Sequence, residues 1–217
     1  MNNNFRFERK WVFQNTVKEL ILLNLLNSKF FFKEQFSERT VNSIYFDTLN
    51  LKSATDNLDG ISNREKYRVR WYGKKTDIFD KPILENKIKK NFQGYKIFYK
   101  LNKFDKKKLN DKNLLGLTKV VNNHLPLKNL YPISMTSYKR TYLISADNRI
   151  RATIDYNLKY KKLNNYVENF FLNSNNVILE FKYPSSLDVY LRNEISAITR
   201  ISKNSKYINS LLTNNSY

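Results

Sequence analysis

Apolar and charged residues alternate along several short segments of the chain, and a period of two residues predicts β-strands. The clearest segment is residues 64–73, REKYRVRWYG. Its basic side consists of Arg64, Lys66, Arg68 and Arg70. Its other side carries Glu65, Tyr67, Val69 and Trp71, of which all but the glutamate are apolar or aromatic. The fold therefore depends on which of these two sides faces the interior.

The same pattern predicts further strands, and three helical regions separate or follow them. The strands are expected at residues 5–13, 40–47, 64–73, 82–89, 136–144, 149–155 and 177–183. An eighth strand is expected near residues 157–161 or 166–172, between which the pattern does not choose. The helices are expected at residues 15–27, where Thr16 and Glu19 form a capping box, in a basic insertion at residues 103–130, and at the C-terminus over residues 186–213. Together these elements predict one α+β domain over residues 1–217.

The composition excludes several classes of protein. Hydrophobic residues make up 41% of the 217 residues and aromatic residues 15%, which is enough for a core and excludes global disorder. The chain has no cysteine, which excludes disulfides, thiolate catalysis and cysteine-type zinc sites. The N-terminus lacks the apolar stretch of a secretory signal, and the longest apolar run, residues 20–26, is too short to span a membrane. We therefore expect a soluble, cytoplasmic protein with no membrane segment in this chain.

The charge of the chain is strongly positive, with 39 Lys and Arg residues against 19 Asp and Glu residues and a formal net charge of +20. A surplus of this size usually has an anionic partner such as nucleic acid, a phosphate compound or an acidic membrane surface. The arginines cluster in the strand-like segments. This clustering indicates that an anionic partner would bind to the basic sides of the predicted strands.

The charged sides of the strands face either solvent or an enclosed interior. The second arrangement is favoured by bulky residues on the opposite sides, which could pack against the helices at 15–27 and 186–200. Two like charges about 6 Å apart repel by roughly 3 kcal/mol at an effective dielectric constant near 20, so a cationic interior needs water, acidic residues or a polyanionic ligand. Glu8, Glu85 and Glu180 each precede a lysine by two residues. Carboxylates placed between cations suit a divalent cation bound with phosphates better than a nucleic-acid backbone.

Eight segments of the chain resemble, in order, the motifs of one known family. They are RFERKW at 6–11, RTVNSIYFDT at 39–48, REKYRVRWYG at 64–73, LENK at 84–87, SYKRTY at 137–142, RATID at 151–155, LEFKYP at 179–184 and SKY at 205–207. The family is the polyphosphate polymerase (VTC) domain, which belongs to the triphosphate tunnel metalloenzymes. The resemblance covers nearly the whole chain. It implies a closed tunnel of eight antiparallel β-strands with helices packed outside, which holds ATP or another triphosphate together with inorganic polyphosphate.

The resemblance also implies roles for individual residues. The catalytic residues are Lys10, Arg68, Arg70, Lys87, Arg140, Arg151, Lys182 and Lys206. The phosphate-binding residues are Arg6, Lys10, Lys66, Arg68, Arg70, Lys87, Arg140, Arg151, Lys182 and Lys206. The metal-binding residue is Glu180, and Glu8 or Glu85 completes the shell of Mn²⁺ or Mg²⁺ through water.

The first motif departs from the broader superfamily, which often begins with Glu-x-Glu-x-Lys, because this chain has Arg6, Glu8 and Lys10 at these positions. A cation in place of one carboxylate favours the polymerase branch. We therefore expect a metal-dependent transferase that adds the γ-phosphate of ATP to a growing polyphosphate chain. The alternatives are a tripolyphosphatase or nucleoside triphosphatase of the same fold, and a non-catalytic domain that binds polyphosphate or inositol phosphates. Nucleic acid is not expected as a partner, and nothing in the pattern addresses the oligomeric state.

Overall fold

The computed structural model of the protein describes residues 6–91, 93–163, 172–195 and 201–212. Within these residues the strands are β1 (Arg6–Phe13), β2 (Lys33–Asp47), β3 (Arg64–Tyr72), β4 (Ile83–Lys90), β5 (Gln93–Lys100), β6 (Tyr131–Ile144), β7 (Arg151–Lys162), β8 (Leu172–Ser174) and β9 (Val177–Pro184). The α-helices are α1 (Lys18–Leu26), α2 (Lys52–Leu58), α3 (Asp111–His124), α4 (Asp188–Ile195) and α5 (Lys206–Leu212). Short 3₁₀ turns at Asn102–Phe104 and Ser185–Leu187 precede α3 and α4.

The described strands belong to one sheet. Their order is β1-β9-β7-β6-β2-β3-β4-β5, and β8 pairs with β7 beside this path. The pairs of β1 with β9, β7 with β9, β2 with β3, β3 with β4 and β4 with β5 are antiparallel. An antiparallel sheet accompanied by helices confirms the predicted α+β class.

The closed tunnel that the resemblance implies is not formed by these strand pairs. Among the described residues, β1 pairs with β9 alone and β5 pairs with β4 alone, so the strand order is an open path rather than a ring. The alternating pattern indicates which side of each strand is charged, but it carries no information about whether the two outer strands meet. The prediction of closure is therefore wrong for this structure, whereas the antiparallel sheet is confirmed.

The predicted strands are confirmed apart from the eighth. The strand expected at 40–47 begins earlier, at Lys33, and is β2. Of the two expected positions of the eighth strand, 157–161 is wrong as a separate strand, because these residues continue β7. Leu172 begins the short β8, while residues 166–171 lie outside the described residues. The strand that the pattern does not reveal is β5.

The helix expected at residues 15–27 is α1, but it begins differently. Val17 is its N-cap residue, and no side chain among the described residues caps this end. The hydroxyl of Thr16 instead donates a hydrogen bond to the carbonyl oxygen of Gln14 at 3.1 Å. The predicted capping box of Thr16 and Glu19 is therefore wrong.

The other two helical regions are confirmed in part. The basic insertion at 103–130 contains α3, and the C-terminal region at 186–213 contains α4 and α5. Residues 201–205, just before α5, are not helical, so this region is not one continuous helix. The pattern does not reveal α2.

No helix among the described residues is both long enough and apolar enough to cross a membrane.

The chain divides into two compact units. The first unit consists of Met1–Arg39, Tyr138–Leu158 and Asn173–Asn204. The second unit consists of Thr40–Ser137, Lys159–Leu172 and Ser205–Tyr217. Long strands such as β2 and β7 contribute residues to both units, and each unit has an apolar core of its own.

The first unit places the bulky side of β1 and β9 against helices. Trp11, Phe181 and Tyr183 are buried in one apolar cluster with Ile21 of α1 and Leu191 of α4. Trp11 and Phe181 meet edge to face with their ring centroids 5.5 Å apart, which is a favourable geometry for an aromatic pair. The prediction that these two helical regions cover the aromatic side of these strands is confirmed.

In the second unit the aromatic side of β3 is the buried side. Tyr67, Val69 and Trp71 belong to an apolar cluster with Leu117 and Val121 of α3. Burial alternates along β3, so that these three residues are buried and the residues between them are partly exposed. The covering helix is α3, which lies in the basic insertion and was not expected in this role. The basic side of β3 faces away from this core.

Candidate functional site

The charged side of the first unit is formed by β1, β9 and β7. The strand register places Lys10 directly opposite Glu180, and Glu8 directly opposite Lys182. At the other edge of β9, Arg151 lies opposite Lys182. Because opposed residues of an antiparallel pair share one side of the sheet, these five side chains are neighbours on a single surface.

Glu180 is the centre of this group and is 7% exposed. Its Oε1 atom lies 2.6 Å from Lys182 Nζ, and its Oε2 atom lies 3.3 Å from Lys10 Nζ. Lys10 Nζ also lies 2.8 Å from Oε1 of Glu8, so one ammonium group bridges the two carboxylates. The buried charges are tolerated because each has an opposite charge close to it.

The balance between burial and neighbouring charges sets the protonation of this group. Burial alone would raise the pKa of Glu180, but attraction to Lys10, Lys182 and Arg140 holds that pKa well below its ordinary value. Burial alone would lower the pKa of Lys10, but Glu180 and Glu8 raise that pKa above its ordinary value. Lys10 is therefore protonated at neutral pH and acts as a fixed charge rather than as a base.

Two arginines complete the cations predicted in the first unit. Arg140 forms a two-point ion pair with the buried Asp155, in which Nε lies 2.5 Å from Oδ1 and Nη2 lies 2.7 Å from Oδ2. Arg151 is exposed and forms no ion pair with a described residue. Arg140 is thus held in place by the protein, whereas the donors of Arg151 are accessible to an external anion.

In the second unit the basic side of β3 meets β4 around Glu85, which is 1% exposed. Arg68 lies opposite Glu85 in the register and donates to its Oε2 atom from Nε at 2.9 Å and from Nη2 at 2.7 Å. Arg70 contacts Oε1 of Glu85 through Nη2. Arg70 Nε is buried and has no hydrogen-bond acceptor among the described residues. Glu85 therefore orients two guanidinium groups and leaves one buried donor for a further acceptor.

Three lysines lie in one row across β3, β4 and β5, beside the two arginines. Lys66 lies opposite Lys87, and Lys87 lies opposite Lys96. Lys66 Nζ donates a hydrogen bond to Oγ of Ser205 at 3.1 Å. Like charges at directly opposed positions destabilise a sheet, so this lysine row, Lys66, Lys87 and Lys96, indicates a surface adapted to an anion.

The polar side of β3, β4 and β5 carries a large excess of positive charge. The register places eight cations on it, which are Arg64, Lys66, Arg68, Arg70, Lys87, Lys89, Lys96 and Lys100. Within the described residues of these three strands, Glu85 is the only carboxylate on the same side. One carboxylate does not neutralise this excess, so the surface favours a polyanion.

A buried carboxylate fastens α5 to the second unit. Asp47 is fully buried at the end of β2. Its oxygens accept hydrogen bonds from the backbone N–H groups of Thr48, Ser53 and Ala54 and from the hydroxyl of Tyr207. The hydroxyl of Tyr207 lies 2.6 Å from Oδ2 of Asp47. Because Lys206 precedes Tyr207 in α5, this contact also fixes where Lys206 lies in the second unit.

The structure distributes the predicted site residues between the two units. The first unit holds Arg6, which lies on β1 opposite Pro184, and also Glu8, Lys10, Arg140, Arg151, Glu180 and Lys182. The second unit holds Lys66, Arg68, Arg70, Glu85, Lys87 and Lys206. Lys96 and Lys100 share the polar side of the second group, and sequence reasoning missed them because β5 was not recognised. The catalytic and phosphate-binding roles of all these residues stay predictions.

The predicted metal-binding carboxylates fall into both units. Glu8 and Glu180 are bridged by Lys10 in the first unit, and Glu85 belongs to the second. Among the described residues, no group of three or more His, Cys, Asp and Glu side chains could hold a metal ion. Glu8 and Glu180 carry the carboxylate oxygens that hard cations such as Mn²⁺ and Mg²⁺ prefer, and in this structure the ammonium group of Lys10 bridges them. The metal role of the three glutamates stays a prediction.

The stability of the second unit should depend on pH through Glu85. Burial alone would raise the pKa of Glu85, but Arg68, Arg70 and Lys96 lower it below the ordinary value of 4.5. A depressed pKa in the folded state contributes stability above the unfolded-state pKa, and this contribution is lost as the pH falls below about 4.5. We expect the free energy of unfolding to fall less steeply between pH 7 and acidic pH in Glu85→Gln than in the wild type, as measured by urea unfolding.

The matched control for this prediction is Glu34→Gln. Glu34 is exposed on β2, and its side chain forms no hydrogen bond or ion pair with a described residue. This variant should keep the wild-type pH dependence. An equal dependence in Glu85→Gln and Glu34→Gln would contradict the stabilising role of the ionised Glu85.

Solved structures of other proteins share this fold. A candidate adenylate cyclase from Vibrio parahaemolyticus is 11% identical over 95% of this chain and 98% of its own, with a TM-score of 0.55. The PH1819 protein from Pyrococcus horikoshii OT3 is 11% identical over 94% of this chain and 98% of its own, with a TM-score of 0.50. At this identity the two likenesses show that the chain shares the fold of these proteins, an antiparallel sheet with helices.

The family to which the chain belongs follows from a comparison of its sequence with family models. The model of the VTC domain matches residues 5–214, which is nearly the whole chain. The chain therefore belongs to the VTC domain family, and the resemblance noted in the motifs is confirmed. No curated protein matches the sequence of the chain.

Proposed function

We propose that the protein is a metal-dependent polyphosphate polymerase that transfers the γ-phosphate of ATP to the end of a growing polyphosphate chain. The observation that carries this proposal is the surface of β3, β4 and β5, where eight cations share one side with a single carboxylate among the described residues of these strands. Membership of the VTC domain family supports the same conclusion. ATP as the donor would place the reaction in the cytoplasm.

The arginines and lysines of the second unit have complementary tasks in this proposal. Arg68 and Arg70 present planar guanidinium groups, which match phosphate oxygens with two donors at once. Glu85 holds both groups in position before the substrate arrives. The lysine row supplies point charges along the same side of the sheet. We refer to Lys66, Arg68, Arg70, Lys87 and Lys96 as the phosphate clamp.

Phosphoryl transfer requires mainly positioning and neutralisation of charge, because the transition state is loose. The acceptor is phosphate or the end of a polyphosphate chain, so no side chain needs to act as a nucleophile. Mn²⁺ or Mg²⁺ would supply Lewis-acid stabilisation of the phosphate oxygens. Glu180 and Glu8 would hold the ion in place of the Lys10 ammonium group that bridges them in this structure.

The proposal is tested with the full chain, ATP and Mn²⁺ or Mg²⁺. Electrophoresis of the products distinguishes chain growth from release of orthophosphate alone, which would identify a triphosphatase and overturn the polymerase assignment. Polyphosphate binding without turnover of ATP would identify a non-catalytic binding domain and would also overturn it.

Arg70→Ala should lower kcat/KM for ATP by about 100-fold, because it removes a fixed donor group that is aimed at phosphate. The substitution deletes the whole guanidinium group, including the Nη2 atom that contacts Glu85 and the buried Nε, which has no acceptor among the described residues. Lys107→Gln is the control, since Lys107 is exposed and its side chain forms no hydrogen bond or ion pair with a described residue. Equal rates in the two variants would exclude Arg70 from phosphate binding.

A further inference from the structure

The strand β5 forms an outer edge of the sheet. In the part of the chain that the structure describes, β5 pairs with β4 alone, which leaves its other edge open to a further strand. An edge of this kind is a template for pairing with another chain, and proteins often protect it with a proline, a bulge or a very short strand. β5 has eight residues and no proline, and its pairing with β4 is regular along its whole length. None of these three protections is therefore present in β5.

Large apolar side chains are exposed on both sides of β5. Tyr95, Ile97 and Phe98 are 47%, 38% and 56% exposed. Tyr95 lies opposite Ile88 on the helix-covered side of the sheet, whereas Phe98 lies opposite Glu85 on the polar side. Aromatic and β-branched side chains in a sheet are stabilised by neighbours on the adjacent strands. Both sides of β5 therefore offer contacts that β4 does not use and that a further strand would cover.

The sequence of β5 restricts how a second copy of this strand could pair with it. Identical strands that pair antiparallel around a two-fold axis place one residue directly opposite its own copy. The two registers with the longest overlap are centred on Lys96 and on Ile97. The first opposes two copies of Lys96, and like charges at opposed positions destabilise a sheet. The second places Lys96 opposite the partner's Phe98 and Lys100 opposite the partner's Gly94, so it opposes no two lysines.

We propose that two copies of this chain join their sheets edge to edge through β5, with Ile97 on the two-fold axis. On the helix-covered side Ile97 meets its own copy, and Tyr95 meets the partner's Tyr99, which gives β-branched and aromatic contacts. On the polar side the alkyl chain of Lys96 packs on the ring of the partner's Phe98. β5 is thus complementary to itself, which identifies a second copy of the chain as the partner.

The dimer forms against the repulsion between two chains that each carry a formal net charge of +20. Salt screens charges in solvent, since the Debye length falls from about 10 Å at 0.1 M to about 3 Å at 1 M. A single pair of short strands belongs to the small, transient class of interfaces, which bury less than about 1,200 Å². We therefore expect a weak, reversible dimer that becomes tighter as the salt concentration rises.

The association is tested by analytical ultracentrifugation of the full chain over a range of protein and salt concentrations, without nucleotide or polyphosphate. The wild type should pass from one chain to two chains per particle as its concentration rises. Ile97→Lys places two like charges on the axis and removes an apolar contact, so it should raise the Kd of the dimer at least about tenfold. Leu127→Lys is the matched control, because it makes the same change of charge at an apolar residue that is 94% exposed, and it should associate as the wild type does.

The register is tested by cysteine substitution, because the chain has no cysteine of its own. Directly opposed residues of an antiparallel pair have Cα atoms about 4.5–5.5 Å apart, which is within the range of a disulfide. Ile97→Cys should therefore form a disulfide-linked dimer under mild oxidation. Phe98→Cys should not, although position 98 is the more exposed of the two, because its copy lies two residues further along the partner strand, beyond the limit of about 7 Å for a disulfide.

Three results would overturn the dimer through β5. They are a wild type that stays monomeric at every concentration and salt, an Ile97→Lys variant that associates as the wild type does, and a Phe98→Cys variant that cross-links as readily as Ile97→Cys. Circular dichroism checks that each variant is folded, and if Ile97→Lys is not, the two cysteine variants decide. None of these measurements involves ATP, so their outcome is independent of the polymerase assay.

Discussion

Replacement of Glu180 by glutamine is expected to lower polyphosphate formation by about 100-fold or more, the scale of removing one preorganised electrostatic group from an active site. Glutamine has a similar size but no charge. Lys182 Nζ at 2.6 Å and Lys10 Nζ at 3.3 Å would lose their shared counter-ion, and the pair of carboxylates that suits a divalent cation would be reduced to Glu8 alone. The measurement is kcat/KM for ATP at saturating Mn²⁺.

A loss of fold has to be separated from a loss of chemistry in this variant, because Glu180 is buried. Thermal unfolding gives the temperature range in which Glu180→Gln is folded, and the assay is carried out below it. Glu34→Gln removes the same charge from an exposed position and should retain wild-type activity. Full activity of folded Glu180→Gln would contradict both its metal role and its role in positioning Lys10 and Lys182.

Replacement of Asp47 by alanine is expected to lower the free energy of unfolding by about 3–5 kcal/mol, which is among the largest effects of a single substitution. Two of the donors that lose their acceptor are the N–H groups of Ser53 and Ala54 in the first turn of α2, where helices leave such groups unsatisfied. The Tyr207 hydroxyl, buried in the same place, loses its acceptor as well. Urea unfolding followed by circular dichroism measures the change.

Two further variants test whether the effect of Asp47→Ala comes from the loss of its buried hydrogen bonds. Tyr207→Phe removes one donor but keeps the ring that stacks on Tyr45 at 5.1 Å, so it should cost about 1 kcal/mol. Asp77→Ala removes an exposed aspartate whose side chain forms no hydrogen bond or ion pair with a described residue, and it should leave stability unchanged. If Asp47→Ala were as stable as Asp77→Ala, the buried carboxylate would not be what holds α2 and α5.

The core of the sheet could be predicted from the sequence because each strand there has one side that excludes water. Val69 and Trp71 are completely buried, and the residue between them, Arg70, is charged. When one side of a strand is buried in this way, the period of two is imposed on the sequence and can be recognised. The same alternation places the basic residues of these strands on the other side, whereas their site roles are implied by the family motifs and stay predictions.

The strand β5 could not be predicted by this signal because it lacks a buried side. Tyr95, Ile97 and Phe98 are exposed although they lie on different sides of the strand, and the run from Ile97 to Tyr99 breaks the alternation. A weaker signal was present, because Asn91 adopts a positive φ of 53° between β4 and β5 and asparagine is favoured in tight hairpin turns. The failure to recognise β5 also concealed Lys96.

The partners of the charged residues depend on register, which local patterns do not contain. The sequence indicated Arg68 and Glu85 as members of two rows, but only the pairing of β3 with β4 places them directly opposite each other.

The helix α2 could not be predicted for a related reason. Its first turn is capped by Asp47 from the preceding strand rather than by an adjacent side chain, so no cap signal appears next to it.

The contact between Asp47 and Tyr207 joins residues that are 160 positions apart in the chain. During translation the carboxylate of Asp47 is therefore synthesised long before the hydroxyl of Tyr207, which donates a hydrogen bond to it. Proteins are made from the N-terminus and contacts across long loops form late. The second unit consequently cannot finish maturing on the ribosome until α5 has been synthesised, although most of its sheet is available much earlier.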